Sequence, residues 1–304
     1  MAVAYRFKLR YYFRRKRFCF LQKKGQEMKK CYMRNITKVI LAAALSVGMC
    51  FNAFAATEIG LNLDWKYASD SRINTGKAVL YSTDENHPKG ITVAVNAGHG
   101  TKGGESVKTL CHPDGSKKVT GGTTAAGASK AVAVSGGMTF KDGTPEAEVT
   151  LSLAHILAKK LLADGYDVLM IRSDSDVQLD NIARTVIANN KADCHIALHW
   201  DSTSKNKGAF FMSTPDALKS MEPVASHWKK HEKLGESLIS GLKANGTKIF
   251  SGGSMDMDLT QTSYSTVPSV DIELGDKTSD HSEAALEKLA EGLTAGINDY
   301  YGFS

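Results

Sequence analysis

From Ile91 onward, short apolar runs alternate with longer amphipathic ones, and no other feature of the sequence limits the fold as strongly. Ile91–Val95, Tyr166–Ile171, Cys194–Trp200, Gly208–Met212 and Ser269–Leu274 are too short for helices, and they are flanked by turn residues, so each reads as a strand. Helical patterns lie between them. Thr144-Pro145-Glu146 opens the first, with Thr as N-cap, Pro at the first helical position and acids in the first turn. Val149, Leu151, Leu153, Ile156, Leu157 and Leu161 supply its apolar face and Gly165 ends it. Gln178–Asn190, a region near 216–245, and Ser282–Tyr300 read as further helices. Such alternation predicts an α/β fold: a single domain built on a mainly parallel, twisted sheet with helices on both faces. That domain spans 91–304. Residues 56–90, polar and turn-rich with one strand at Ala78–Ser82, read as an N-terminal extension. Residues 101–143, rich in Gly, Thr, Ser and Lys, read as loop with a short hairpin.

The net charge of +6 conceals two unlike parts. Residues 1–55 hold 13 Lys/Arg and one acid, Glu27; the rest holds 25 Lys/Arg against 31 Asp/Glu. A mildly acidic body argues against a nucleic-acid partner. The basic segment leads into the apolar run Val39–Val47 and then "AFA", so residues 1–55 read as a basic segment plus secretion signal. The run is short and interrupted by Gly48 and Asn52, which predicts cleavage and no stable membrane span. The leader is long for a signal, and a start at Met28 or Met33 would give an ordinary one. After cleavage only Cys111 and Cys194 remain; they lack C-x-x-C spacing, and their pairing is left open.

"VAVNAGHGTKGG" follows the first predicted strand and contains a literal G-x-G-x-x-G, Gly98, Gly100 and Gly103. A dinucleotide loop needs a helix to open at the third glycine and an acid about twenty residues on. "GESVKTLCHPDGSKK" supplies neither. The alternative centres on His99. In open α/β sheets ligands gather beyond the carboxyl ends of strands. "CHIALHW" presents His199 there, "SVDIELG" presents Glu273, and the Pro-started helix presents Glu146 in its first turn. Two imidazoles and a carboxylate form a set that holds a catalytic zinc with a position left for water, and a further carboxylate beside it can move the proton. The expected site therefore lies at the carboxyl ends of strands.

"VNAGHG", "EAEVTLSLAHIL", "LDNIARTVIANNKADCHIALHWD" and "VPSVDIELGD", in that order, resemble the zinc-dependent N-acetylmuramoyl-L-alanine amidases of the amidase-3 type. The resemblance runs from about Ile91 to Tyr301. It implies a cell-wall hydrolase, secreted or wall-associated and monomeric, that cleaves the amide between N-acetylmuramic acid and L-alanine of the stem peptide. By resemblance His99, Glu146 and His199 match the ligands of one Zn²⁺, and Glu273 matches the catalytic carboxylate. Glu146 is preferred to Glu148 because it stands three residues before the first apolar residue of the helix, Val149. Asn96, Trp200, Asp201 and Asp276 depart from the family pattern, which bears on the cleft rim and substrate preference. Another zinc peptidase of carboxypeptidase type, or a non-catalytic wall-binding protein of the same fold, are the competing readings.

The other histidines read as structural. His195 shares a strand face with His199, but four residues of strand span about 13 Å, too far for one ion. His227 and His231 read as a solvated helix face, His155 as a helix-surface residue, and His112 as a loop residue without a clear partner. Arg184 reads as a structural or carbonyl-binding residue. The polar stretch Ser251–Ser265 reads as a cleft wall, with Tyr264 a candidate for contacting a peptide.

Overall fold

The computed structural model describes residues 55–83 and 88–303. The expected signal segment and the alternative starts at Met28 and Met33 lie outside the described residues.

Ten strands form around the apolar runs: β1 (Ala55–Gly60), β2 (Lys77–Ser82), β3 (Thr92–Ala97), β4 (Lys108–Leu110), β5 (Lys130–Val132), β6 (Asp167–Met170), β7 (Cys194–Asp201), β8 (Ala209–Ser213), β9 (Ile249–Asp256) and β10 (Ser269–Asp276). The helices are α1 (Glu146–Ala163), α2 (Asn181–Lys191), α3 (Val224–Ala244), α4 (Thr260–Tyr264) and α5 (Glu283–Tyr301). Eight strands make one sheet in the order β1-β2-β6-β3-β7-β10-β8-β9, and β4 and β5 pair as a separate two-stranded hairpin.

The central strands β6, β3, β7 and β10 run parallel, while β1–β2, β2–β6 and β10–β8 pair antiparallel. The β8–β9 pair is parallel too, so the sheet is mixed, with four parallel and three antiparallel pairs: parallel in the main, as expected, but not throughout. The reason lies in the short connections: β7 reaches β8 through residues 202–208, too few for the crossover that a parallel neighbour needs. Residues 56–90, expected as an extension, contribute all of β1 but Ala55, and β2, to this same sheet. The edge strands β1 and β9 carry mixed small and polar residues, which weakens their signal in the sequence.

The parallel strands are buried on both faces, and their apolar residues alternate between two helix layers. Ala94 and Leu169 pack with Ala183 and Ile187 of α2. On the opposite face, α1 buries Val149, Leu153, Leu157 and Leu161 without exposing more than 4% of any of them; each such side chain contributes about 1.5–3 kcal/mol. Helix α5 packs between α1 and α3. Helix α1 starts one residue later than Pro145 suggested, because the Glu146 N–H bonds the Met138 carbonyl instead of a side-chain cap. Asp180 caps α2 by accepting from the Ala183 N–H at 2.8 Å, and it also receives the N–H groups of Arg72 and Ile73. Among the described residues no helix is long and apolar enough to cross a membrane. Cys111 and Cys194 are buried and unpaired.

Helices α3 and α5 touch backbone to backbone at Gly241, Gly292 and Gly296. A Cβ on Gly241 would lie 2.3 Å from the Gly292 carbonyl oxygen and 2.4 Å from the Gly296 nitrogen. Neither atom can yield without moving a helix. Gly241→Ala is therefore expected to destabilise the fold by about 1–3 kcal/mol through overpacking, read as a lower urea midpoint with an unchanged m-value.

Candidate metal centre

Strands β3, β7 and β10 are neighbours, and all three deliver chemistry near their carboxyl ends. His99 stands two residues past β3. His199 on β7 and Glu273 on β10 are paired in register, so both side chains leave the same face of the sheet. Glu146 reaches the same point from the first turn of α1. His99 Nε2 lies 2.9 Å from Glu146 Oε1, His199 Nδ1 lies 3.2 Å from that same oxygen, and the two imidazole nitrogens are 3.1 Å apart. The three ligand atoms all fall within 4.8 Å of one another. Glu148, the sequence alternative to Glu146, is exposed.

The chain fixes which atoms face inward. His99 Nδ1 is 2.9 Å from the Ser135 carbonyl and donates to it, so Nε2 carries the bare lone pair. Glu146 Oε2 accepts from the Met138 N–H at 2.8 Å, and Oε1 accepts from the Trp200 N–H at 2.9 Å. Three Lewis bases therefore converge on one point, and such a point demands positive charge. Burial would raise the Glu146 carboxyl, yet the His199 and His99 imidazoles beside it outweigh that and hold the group far below the usual carboxylate range. Burial would likewise lower His199, but the Asp271 and Glu146 carboxylates push it up to about 10. The donor set and its electrostatics fit a divalent cation.

His99 has φ 64°, in the left-handed region where a non-glycine residue is strained. Two buried guanidinium groups hold it there. Arg172 donates from Nε to the Ala97 carbonyl at 3.1 Å and from NH2 to the Gly98 carbonyl at 2.9 Å. Arg184 donates to the Ala97 carbonyl at 3.2 Å and to the His99 carbonyl at 2.6 Å. Three consecutive carbonyls are thus clamped, and the carbonyl-binding expectation for Arg184 holds. Burial, with the Arg172 charge beside it, presses the Arg184 guanidinium down to about 9, still charged at neutral pH. Gly98 makes room for the second imidazole, since a Cβ there would sit 2.3 Å from the His199 ring.

Glu273 Oε2 is buried without a hydrogen-bond partner among the described residues. Burial, helped by Asp271 and Glu146 and opposed by His199, raises its carboxyl well above the ordinary range. Asp271, which the sequence reading missed, has Oδ2 3.6 Å from His199 Nε2, on the far side of the ring from Glu146. The signal for it was an acid two residues before Glu273 in an otherwise apolar strand. The centre opens into a cleft of about 480 Å³, lined on one side by Val132 and Val134 and on the other by Met212, Met255 and Met257.

Other candidates fall elsewhere. His195 is fully buried and outside the cluster. His231, expected on a solvated face, is 3% exposed and accepts the Ser269 N–H. Tyr264 is fully buried and bonds Asp70, so it is a core residue and not a peptide contact. The stretch around it does supply a cleft wall through Met255, Met257 and Leu259. His112, read as unpartnered, pairs with Asp258.

Residues 93–299 match the N-acetylmuramoyl-L-alanine amidase family, Amidase_3. The chain belongs to this family. It is accordingly a peptidoglycan hydrolase with N-acetylmuramoyl-L-alanine amidase activity. Its fold is similar to that of the N-acetylmuramyl-L-alanine amidase Ami1 from Mycobacterium smegmatis, with a TM-score of 0.58 at 19% identity over 72% of this chain and 100% of that one. The apo form of Ami1 from Mycobacterium abscessus gives 0.56 at 20% identity, over 70% and 99%. The CwlD amidase from Clostridioides difficile, solved in complex with the GerS lipoprotein, gives 0.50 at 18%, over 70% and 100%. The comparison with curated proteins yields no match.

Replacing Arg184 by Met removes the clamp on two carbonyls while keeping much of the volume. Zn²⁺ affinity, measured by competition with a chromophoric chelator, is expected to fall about 10–100-fold, the usual effect of removing a group that orients a ligand. Unchanged affinity would show that His99 keeps its place unaided.

Proposed function

We propose that this amidase is zinc-dependent, with His99, Glu146 and His199 as the ligands of one ion and Glu273 as the catalytic carboxylate. The observation that carries this reading is the convergence of three ligand atoms beside a buried carboxylate whose Oε2 has no partner among the described residues. Zinc at such a centre lowers the pKa of water towards neutrality and polarises an amide carbonyl.

The chain's own groups do the rest. Ser135 keeps the proton on His99 Nδ1, so Nε2 stays a donor of electrons. Glu146 is kept ionised by the two imidazoles and positioned by two backbone N–H groups. Glu273 takes a proton at Oε2 from the attacking water and gives it to the nitrogen of the departing L-alanine. One carboxyl serves both steps because the first loads it for the second. The products are the lactyl carboxylate of N-acetylmuramic acid and a stem peptide with a free L-alanine amine.

We further assign residues 1–55 to a basic segment and secretion signal and 91–304 to the catalytic domain, whose sheet the 56–90 stretch extends through β1 and β2; it acts as a monomer outside the cell, at the wall. The uneven charge of the two parts and the peptidoglycan substrate of the family support this assignment.

Digestion of purified sacculi tests the reaction by mass. Stem peptides beginning with L-alanine are expected, and chelation should abolish their release. Release of a terminal amino acid instead would reveal a carboxypeptidase. Glu273→Ala should retain zinc and lose at least about 100-fold in kcat, whereas His199→Ala should lose both zinc and turnover. Near-normal release by Glu273→Ala would remove Glu273 from the mechanism.

A further inference from the structure

The 101–143 segment leaves the metal centre after His99 and returns to it at Ser135. Its middle forms the β4–β5 hairpin, which belongs to no other sheet. The ladder continues past the strands: the Cys111 N–H bonds the Ser129 carbonyl, and Lys118 and Ala128 are joined beyond it. A lone two-stranded hairpin is marginal in water and needs an anchor. The anchor is a buried polar cluster far from the metal ligands. His112 and Asp258 are both fully buried, and Lys118 is 8% exposed.

Every polar atom of Asp258 is spent on the hairpin. Oδ1 meets His112 Nε2 at 2.8 Å, and Oδ2 accepts the Val119 N–H at 2.7 Å. Its carbonyl accepts from Lys118 Nζ, and its own N–H donates to Thr120 Oγ1 at 2.8 Å. The second nitrogen of His112 meets Ser116 Oγ at 2.7 Å, inside the hairpin. Asp258 lies in the connection between β9 and α4, and its neighbours Met257 and Leu259 line the cleft. The hairpin segment lines the same cleft with Thr123, Thr124, Val132 and Val134, and its Thr120 Oγ1 lies 3.6 Å from Met257 Sδ. The cluster therefore joins the two walls of one groove. A buried, paired charge is costly, and replacing such a pair by apolar residues is often neutral or stabilising, so its use here points to geometry more than to stability.

We propose that the 101–143 segment is one wall of the substrate groove, and that the His112–Asp258–Lys118 cluster is a latch fixing it beside Met255 and Met257 so that the stem peptide is gripped in the cleft they share. The latch residues are positioning residues: they touch neither the metal ligands nor Glu273, and they set the width of the groove. Between Met255 and Met257 on one side and Val132 and Val134 on the other, the groove offers flexible apolar contact suited to small methyl-bearing groups, such as the lactyl and alanyl methyls that flank the scissile amide. This deepens the amidase reading and rests on it.

The test uses the full chain as wild type, as Asp258→Asn and as His112→Gln, the last being a milder change that keeps a neutral hydrogen-bonding group. Initial rates on a soluble N-acetylmuramoyl peptide separate KM from kcat. The expected result is a rise in KM of about tenfold with zinc content kept and kcat little changed, the pattern of lost uniform binding. Limited trypsin digestion provides a second reading that needs no catalysis. Lys117 and Lys130 lie on the hairpin, and cleavage there should accelerate in both variants, with the soluble peptide no longer protective. Unchanged KM together with unchanged cleavage would overturn the proposal, as would a loss carried by kcat and zinc content. An inactive wild type would instead overturn the amidase reading, with the latch still judged by trypsin.

Discussion

Three electron-pair donors aimed at one point repel one another, and most of this molecule's polar interior opposes that repulsion. His99 Nε2, His199 Nδ1 and Glu146 Oε1 approach to about hydrogen-bonding distance, where without a cation or proton between them they cannot rest. The fold holds each from behind. Ser135 takes the outer nitrogen of His99, two backbone N–H groups take the oxygens of Glu146, and Asp271 lies beyond the outer nitrogen of His199. Arg172 and Arg184 then fix the carbonyls of the turn that carries His99 in a strained conformation. Buried guanidinium groups bonded to neutral carbonyls are costly to keep. Their position behind a strained ligand gives that cost a use: it prearranges the donor set.

How much of this was legible depended on the range of the interaction. Strands announced themselves through runs such as Ile91–Val95, because burial on both faces leaves little room for polar residues. The set His99, Glu146, His199 and Glu273 was legible because each sits at the end of a recognisable element. What joins those ends could not be read from spacing. His112 seemed unpartnered because Asp258 is distant in the chain, and Tyr264 seemed available to substrate because nothing local revealed that it packs on Ala68, Ile182 and Val186. Edge strands β1 and β9 were missed for a related reason. A strand paired on one side need not be apolar, and "FSGGSMD" gives its β character only through its neighbour.

The mixed sheet has a consequence for the rim of the site. Ligands from β3, β7 and β10 can converge because parallel neighbours present their carboxyl ends together. Were β8 also parallel, the chain leaving β7 would have to cross the whole sheet before returning. Because β8 runs opposite to β10, residues 202–208 can turn back at the same end and stay short. Asp276 then ties that turn down, accepting from Thr203 Oγ1 and the Lys207 N–H, while Lys207 pairs with Asp201 at 2.6 Å. Asp201 and Asp276 are two of the positions that the sequence reading set apart from the family pattern. Both are engaged in holding this rim, and Trp200 contributes its backbone N–H to Glu146 whatever its side chain. The departures therefore fall on the frame around the donor set and leave the donor set itself untouched.

The two rims of the cleft are built differently. The 202–208 turn is short and pinned by the fully buried Asp276 and the Lys207–Asp201 pair, so it has little freedom to move. The 101–143 arm is long, owns its own hairpin, and is tied down at several places: at Asp258 by the buried cluster, at α2 where the Asn181 N–H bonds the Ala133 carbonyl, and past β10 where the Lys141 N–H bonds the Lys277 carbonyl. It meets the metal centre at His99 and at Ser135, the latter bonded to the former. Movement of that wall would therefore be felt at the ligand unless the turn at His99 were held independently. Arg172 and Arg184 grip that turn from the body of the domain, through β6 and α2 and not through the arm. The clamp on His99 and the latch on Asp258 are thus separate supports: one fixes the turn that carries the ligand, the other fixes the wall beside it.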